Sequence, residues 1–127
     1  MSPLLVTLAA AAGSRERQQA VDDWLAGPVE GDVVRPGLRQ RALIVEGPSL
    51  GLRLPDALAV TRLPAGCVCC AGQVPLRVAV ARAARALDRR QPRSLLLLLA
   101  QGGHLARLRA QIERGELGAG VLLAPGP

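Results

Sequence analysis

Three cysteines stand within four positions, in Gly66-Cys67-Val68-Cys69-Cys70, and the chain has no others. Thiolates are soft ligands that suit zinc and copper(I), and three of them on one turn can converge on a single ion. Structural zinc sites usually have four protein ligands, so a set of three leaves one position open for a labile ion. The sequence therefore predicts a metal site at Cys67, Cys69 and Cys70, with zinc or a similar soft divalent ion bound.

Other interpretations of these side chains stay open. The only histidine, His104, is either a fourth metal ligand or a surface or helix-capping imidazole beside Gly102-Gly103. Cys69 and Cys70 are either metal ligands or a vicinal redox pair, and three buried thiols without chemistry are the plainest alternative. An odd number of cysteines argues against a disulfide-stapled secreted domain, so we expect a reducing compartment, the cytoplasm.

Composition limits the chemistry further. The chain has 127 residues, half of them hydrophobic, which predicts one folded domain spanning residues 1–127. All 16 basic residues are arginine, a bias typical of a GC-rich bacterial genome, and the absence of lysine excludes a Schiff base or an intact phosphate-binding P-loop.

The net charge of +6 is unevenly placed, with nine arginines and two acids between Arg77 and Arg114. This charge permits an acidic partner, but Trp24 is the only aromatic residue, so nucleic acid is not favoured as a partner. No apolar run approaches the roughly 18 to 20 residues that span a bilayer, so no membrane segment is expected. The apolar stretch Leu4 to Ala12 is either a first strand or the core of a signal peptide.

Short apolar runs alternate with helical patterns along the chain. Five strands are predicted, at Leu4–Leu8, Ala42–Val45, Ala57–Leu63, Leu95–Leu99 and Val121–Leu123. Three helices are predicted, the first after Ser14 as N-cap and ended by Gly27-Pro28, the second from Val74 to Arg90, and the third carrying Leu105, Leu108 and Ile112. The run of five leucines indicates a central strand covered on both faces. Together these elements predict an α/β fold with a mainly parallel sheet flanked by helices.

The stretch from Leu63 to Cys70, followed by an amphipathic helix and a leucine-rich strand, resembles the nucleotide-binding domain of the CobW group of metallochaperone GTPases, relatives of UreG and HypB. The G-C-x-C-C motif between a strand and a helix is the hallmark of that group. The resemblance covers nearly the whole chain and implies a P-loop-type three-layer sandwich, metal at the cysteines, and GTP hydrolysis coupled to metal delivery. The C-terminal domain of the family is expected to be absent.

The chain departs from the family at the nucleotide site. The P-loop G-x-x-x-x-G-K-T is matched by residues 8–15, where Gly13 keeps the second glycine, Ser14 replaces the lysine and Arg15 replaces the magnesium-binding hydroxyl. The acidic motif after the second strand leaves a trace at Glu46, and the family's glutamate after the leucine strand is missing from Leu99-Ala100-Gln101-Gly102.

These departures predict a degenerate member of the family. Gly13, Ser14 and Arg15 are the remnant of a cofactor site, GTP with magnesium is not expected to be turned over, and no catalytic residue is predicted. The leading hypothesis is metal handling, or a pseudo-GTPase that binds a metal-receiving client or another copy of itself. A weak GTPase and an arginine-rich interaction module without metal function are the alternatives.

Overall fold

The structure is a computed structural model that describes residues 2–27, 37–47, 51–65 and 74–124. The three cysteines lie outside these described residues, in segment 66–73. Five strands are described: β1 Leu4–Ala10, β2 Arg41–Glu46, β3 Ala59–Leu63, β4 Arg93–Leu99 and β5 Val121–Leu123. Three helices are described with them: α1 Ser14–Ala26, α2 Val74–Ala86 and α3 Leu105–Glu113.

The strands form one sheet in the order β3-β2-β4-β1-β5, and every neighbouring pair is parallel. The prediction of an α/β fold with a mainly parallel sheet is therefore confirmed. Parallel neighbours must be joined by crossovers that return to the starting edge of the sheet, and three of the connections here contain a helix. All five strands consequently end at the same edge, called here the carboxyl edge.

Strand β4 lies at the centre of the sheet, and its five consecutive leucines are at most 2% exposed. Successive side chains of a strand point to opposite faces, so Leu95, Leu97 and Leu99 belong to one apolar core, and Leu96 and Leu98 belong to the other. A strand buried on both faces needs apolar residues at every position. The central position that the leucine run predicts is confirmed.

Helices cover both faces of the sheet. Leu76 and Val80 of α2 and Leu108 and Ile112 of α3 pack into the core that contains Leu97. Val21 and Trp24 of α1 pack into the core on the opposite face. The sheet therefore carries two helices on one face and one on the other.

Helix α2 ends at Ala86, four residues before the predicted end at Arg90. The reason is a distant side chain. Gln40 accepts a hydrogen bond from the Asp88 amide (2.9 Å) and donates one to the Asp88 carbonyl (2.8 Å). Both backbone groups of Asp88 are thereby bound outside the helix, and Arg90 closes a turn on the Asp88 carboxylate.

Two buried arginines hold the opposite edge of the sheet, where the strands begin. Arg93 donates to the carbonyls of Ala84 (2.7 Å) and Ser2 (2.8 Å), and burial lowers the pKa of its guanidinium. Arg41 donates to the carbonyl of Trp24 (2.8 Å) and lies over its indole ring. These arginines bind backbone at the ends of α1 and α2, so part of the sequence's positive charge is structural.

None of the helices in the described parts of the chain has the length and apolar composition needed to cross a membrane.

The two-sided burial of β4 has a direct energetic consequence. Leu97→Ala removes a fully buried side chain from a close-packed core, so we expect the free energy of unfolding to fall by about 3 kcal/mol. Leu122→Ala is the matched control, because Leu122 lies in the same sheet and is 50% exposed; its loss should stay below about 1 kcal/mol. Urea denaturation monitored by circular dichroism measures both. Equal losses would contradict the central position of β4.

Candidate functional site

The connections of the sheet diverge at one point. After β1 the chain passes through α1 and enters β2, which lies beyond β4 in the sheet. After β4 the chain passes through α3 and enters β5, which lies beyond β1, so this crossover runs in the opposite direction. The carboxyl ends of β1 and β4 therefore flank the topological switch point, which is where open parallel α/β sheets usually bind ligands. Residues 11–13 follow β1 at this point, and residues 100–104 follow β4.

A buried guanidinium occupies this switch point. Arg17, in the first turns of α1, is 3% exposed and donates to the carbonyls of Ala11 (2.7 Å) and Glu46 (2.6 Å), with a longer bond to Leu99 (3.4 Å). A single side chain thus contacts backbone at the carboxyl ends of β1, β2 and β4. The planar fork of arginine suits such a site, because its donors diverge at fixed angles.

Burial lowers the pKa of the Arg17 guanidinium, and the negative charge of Glu46 opposes that shift. The Nε of Arg17 has no hydrogen-bond partner among the described atoms. Arginine stays protonated in proteins, so the cluster keeps its positive charge at neutral pH. The charge is held by carbonyl dipoles and by a neighbouring carboxylate in a region that excludes water.

Glu46, which the sequence resemblance aligns with the acidic motif of the CobW group, is also buried at this edge. Its Oε1 accepts a hydrogen bond from the Ala100 amide (3.1 Å), which ties the end of β2 to the residue after β4. Gly47 follows with φ +83°, and a Cβ there would lie 3.3 Å from that of Ala100. The glycine is needed because the chain turns in a left-handed conformation against β4.

The three residues that match the P-loop lie at the start of α1. Strand β1 continues to Ala10, so only residues 11–13 connect it to the helix. Gly13 is the N-cap, one residue before the predicted N-cap Ser14, and no side chain caps the helix. The Glu16 carboxylate lies directly against Gly13, where a Cβ would stand. A carboxylate in the first turn of a helix is electrostatically favourable, and its negative charge disfavours a phosphate at the same terminus.

Ser14 and Arg15 are exposed. They line an open groove of about 480 Å³ on the outer side of α1, together with Gln18, Gln19, Asp22, Gly51 and Arg53. At this groove the Gln18 side chain donates a hydrogen bond to the Arg53 carbonyl and accepts one from the Arg53 amide. The three residues that match the P-loop in sequence therefore lie apart, with Gly13 as the N-cap of α1 and Ser14 and Arg15 in a polar surface groove.

The predicted metal ligands Cys67, Cys69 and Cys70 belong to the connection from β3 to α2. That connection leaves the carboxyl edge after Leu63, and α2 starts at Val74. Within the described residues, no group of three or more His, Cys, Asp or Glu side chains is arranged to hold a metal.

His104 ends the short 3-10 turn Gly102–His104 and directly precedes α3. It is half-buried and follows β4, which lies two strands from β3 in the sheet. Neighbouring strands are about 4.8 Å apart, so β3 and β4 are separated by roughly 10 Å. His104 occupies the N-cap position of α3, and its imidazole makes no capping hydrogen bond.

Sequence reasoning missed Arg17. The signal was present, because Arg17, Val21 and Trp24 follow the spacing i, i+4, i+7 of one helix face. An arginine on the buried face of an amphipathic helix needs acceptors, and the carbonyls at the ends of parallel strands supply them.

Comparison of the chain with protein-family models, with curated proteins and with solved structures finds no match. The resemblance to the CobW group therefore remains a prediction from the sequence motif.

Removing the guanidinium should weaken the whole carboxyl edge. Arg17→Met places an apolar side chain of similar length at this position. The substitution removes the hydrogen bonds to the Ala11 and Glu46 carbonyls and the positive charge beside the Glu46 carboxylate. We expect a loss of about 3 kcal/mol in the free energy of unfolding, measured by urea denaturation. The control Arg15→Met, two residues away on the exposed side, should change stability by less than about 0.5 kcal/mol. A neutral Arg17→Met variant would show that the contacts of Arg17 do not stabilise the fold.

Proposed function

We propose that this chain binds zinc or a similar soft divalent ion through Cys67, Cys69 and Cys70, and that it handles this ion without hydrolysing nucleotide. The observation that carries the proposal is the clustering of all three cysteines within four positions of the β3 to α2 connection. Three incidental buried thiols would be expected to scatter along the chain.

The place of the connection in the fold supports the proposal. Loops that follow the carboxyl ends of parallel strands commonly hold functional residues, because the rigid sheet positions them while their own sequence is free to vary. The cysteines follow β3, and the 13-residue helix α2 follows the cysteines. The positive end of a helix dipole near the thiols favours their thiolate form, which is the form that binds metal.

The donor set fits the proposed ion. Three thiolates are chemically suited to zinc, and an incomplete ligand set suits an ion that is passed on. The ion is cargo in this proposal, so its release is part of the function. Thiols that bind metal must remain reduced, which is why we place the protein in the cytoplasm.

The contacts at the carboxyl edge also support the proposal that the chain does not hydrolyse nucleotide. Arg17 occupies the switch point, and the Glu16 carboxylate lies against Gly13 at the N-terminus of α1, where its negative charge would repel a phosphate. The chain has no lysine to contact the β and γ phosphates, and Leu99 stands where the family has an acid. A nucleotide at this edge would have to displace the buried guanidinium of Arg17 and would meet the negative charge of the exposed Glu16, so a pseudo-GTPase role or simple metal binding fits these contacts better than GTP hydrolysis.

Metal content tests the proposed binding of zinc by the three cysteines. Protein purified without added metal or chelator should contain close to one zinc per chain, and the Cys67→Ser/Cys69→Ser/Cys70→Ser variant should contain none, because the hydroxyl of serine is a poor zinc ligand. Elemental analysis by mass spectrometry measures both. His104→Ala serves as the control and should retain the ion, since we expect the three thiolates to be sufficient. Equal metal content in the wild type and the triple variant would contradict the proposal.

Nucleotide titration tests the proposal that the chain does not hydrolyse nucleotide. With magnesium present, labelled GTP and GDP should show no saturable binding below millimolar concentration, and no magnesium-dependent phosphate release should be measurable. The Glu16→Gln variant removes the carboxylate charge beside Gly13 and provides the matched comparison. Robust turnover by the wild-type chain would overturn the argument from the occupied switch point.

A further inference from the structure

The outer side of α2 carries a row of exposed residues, which we call the α2 ridge: Val74, Val78, Ala81, Arg82 and Arg85. Their spacing of i, i+4, i+7, i+8 and i+11 places them on one face of the helix. The opposite face contributes Leu76, Val80 and Ala83 to the core. The ridge is therefore the part of α2 that points away from the sheet.

The first two turns of the ridge are apolar. Val74 is 55% exposed and Val78 is 42% exposed, and the other large exposed hydrophobic residues described, Leu38 and Leu122, belong to different elements. Single exposed apolar side chains are ordinary on protein surfaces. Two of them four residues apart on one helix face form a small continuous apolar contact surface, which is the kind of pattern that a partner helix recognises.

The remaining turns of the ridge are positively charged. Arg82 and Arg85 lie on it, Arg77 flanks it, and the sequence of α2 contains no acidic residue. The ion pairs of the described residues on this side of the molecule are Arg90 with Asp88 and Arg114 with Glu116, so they neutralise neither ridge arginine. Charge complementarity therefore indicates an acidic partner.

The ridge begins close to the cysteines. Val74 follows Cys70 by four positions, and four residues span at most roughly 14 Å even when fully extended. Val78 is one helical turn further, about 6 Å along the axis. A partner seated on the first two turns of α2 thus lies within reach of the thiols, whatever conformation segment 66–73 adopts.

From these observations we infer that the α2 ridge is the docking surface for an acidic protein segment that receives the metal ion. This inference rests on the proposed function, because it identifies the partner of the cysteine site. The segment presents an apolar pair against Val74 and Val78 and carboxylates against Arg82 and Arg85. Metal passes by ligand exchange without electron transfer: an incoming thiol of the partner loses its proton on binding, and the thiolate released here takes one up.

The ridge fits a protein better than a nucleic acid. The phosphate backbone offers no apolar complement for the two valines. The only aromatic side chain, Trp24, is 8% exposed and belongs to α1, so it is not available to stack on bases. Duplex DNA is nevertheless the informative competitor, because it tests positive charge without apolar contact.

The inference can be tested with three labelled helical peptides of equal length and with a 20-base-pair DNA duplex, by fluorescence anisotropy at 0.15 M salt. The first peptide carries two leucines four residues apart, followed by four glutamates; the second has glutamines in place of the leucines; the third has lysines in place of the glutamates. We expect the first to bind about tenfold more tightly than the second, and the third not to bind.

Two variants assign the binding to the ridge. Val74→Gln/Val78→Gln should abolish the difference between the first two peptides, and Arg82→Glu/Arg85→Glu should weaken the first peptide by at least about tenfold. The matched control is Arg107→Glu/Arg109→Glu on α3, which makes the same charge change on the same face of the sheet and should alter binding less than about twofold. All substituted residues are exposed, so unchanged thermal denaturation confirms that each variant is folded.

Equal binding of the first two peptides, equal loss in the α3 control, or tighter binding of DNA than of the first peptide would each overturn the inference. The Cys67→Ser/Cys69→Ser/Cys70→Ser variant separates the inference from the proposed function. Peptide binding that persists in a variant without metal supports the docking surface, whereas absence of zinc from the wild type contradicts only the metal site.

Discussion

The architecture of the carboxyl edge depends on the buried guanidinium of Arg17. It holds the chain after β1 and the end of β2, and reaches the end of β4, so three strands that are distant in sequence terminate around one side chain. Strand ends leave carbonyl groups without ladder partners, and a buried carbonyl without a donor is costly. A charge at this position is equally costly unless acceptors surround it. Each group therefore stabilises the other, and the edge forms as a unit.

This arrangement bears directly on function. The switch point of a parallel sheet is its natural ligand crevice, and here the crevice contains the protein's own groups. Glu46 adds a second internal contact by accepting from the Ala100 amide. These contacts favour the connection from β3 to α2 over the crevice between β1 and β4 as the place for ligand chemistry. The cysteine cluster belongs to that connection, which is why we propose metal binding there and no nucleotide hydrolysis between β1 and β4.

The positive charge of the chain divides into two kinds. Arg17, Arg41 and Arg93 are buried and bind backbone carbonyls. The arginines of α2 and α3 are mostly exposed on one side of the sheet, where α1 does not reach. The net charge of the chain does not distinguish the buried arginines from the exposed ones. Their burial separates the arginines that hold elements together from those that are free to meet a partner, and the inference about α2 depends on that separation.

The sequence by itself determined the α/β class, the five strands, the central position of the leucine run, the buried face of α2 and the presence of the thiol cluster. Each of these follows from local periodicity or composition, which neighbouring residues express without help from the rest of the chain. Only the tertiary structure decided which carbonyls accept from Arg17 and that α2 stops at Ala86. The partners responsible are 29 residues away for Arg17 and Glu46, and 48 residues away for Gln40 and Asp88. Hydrogen bonds over such separations exist only after the strands have paired, so no local pattern encodes them.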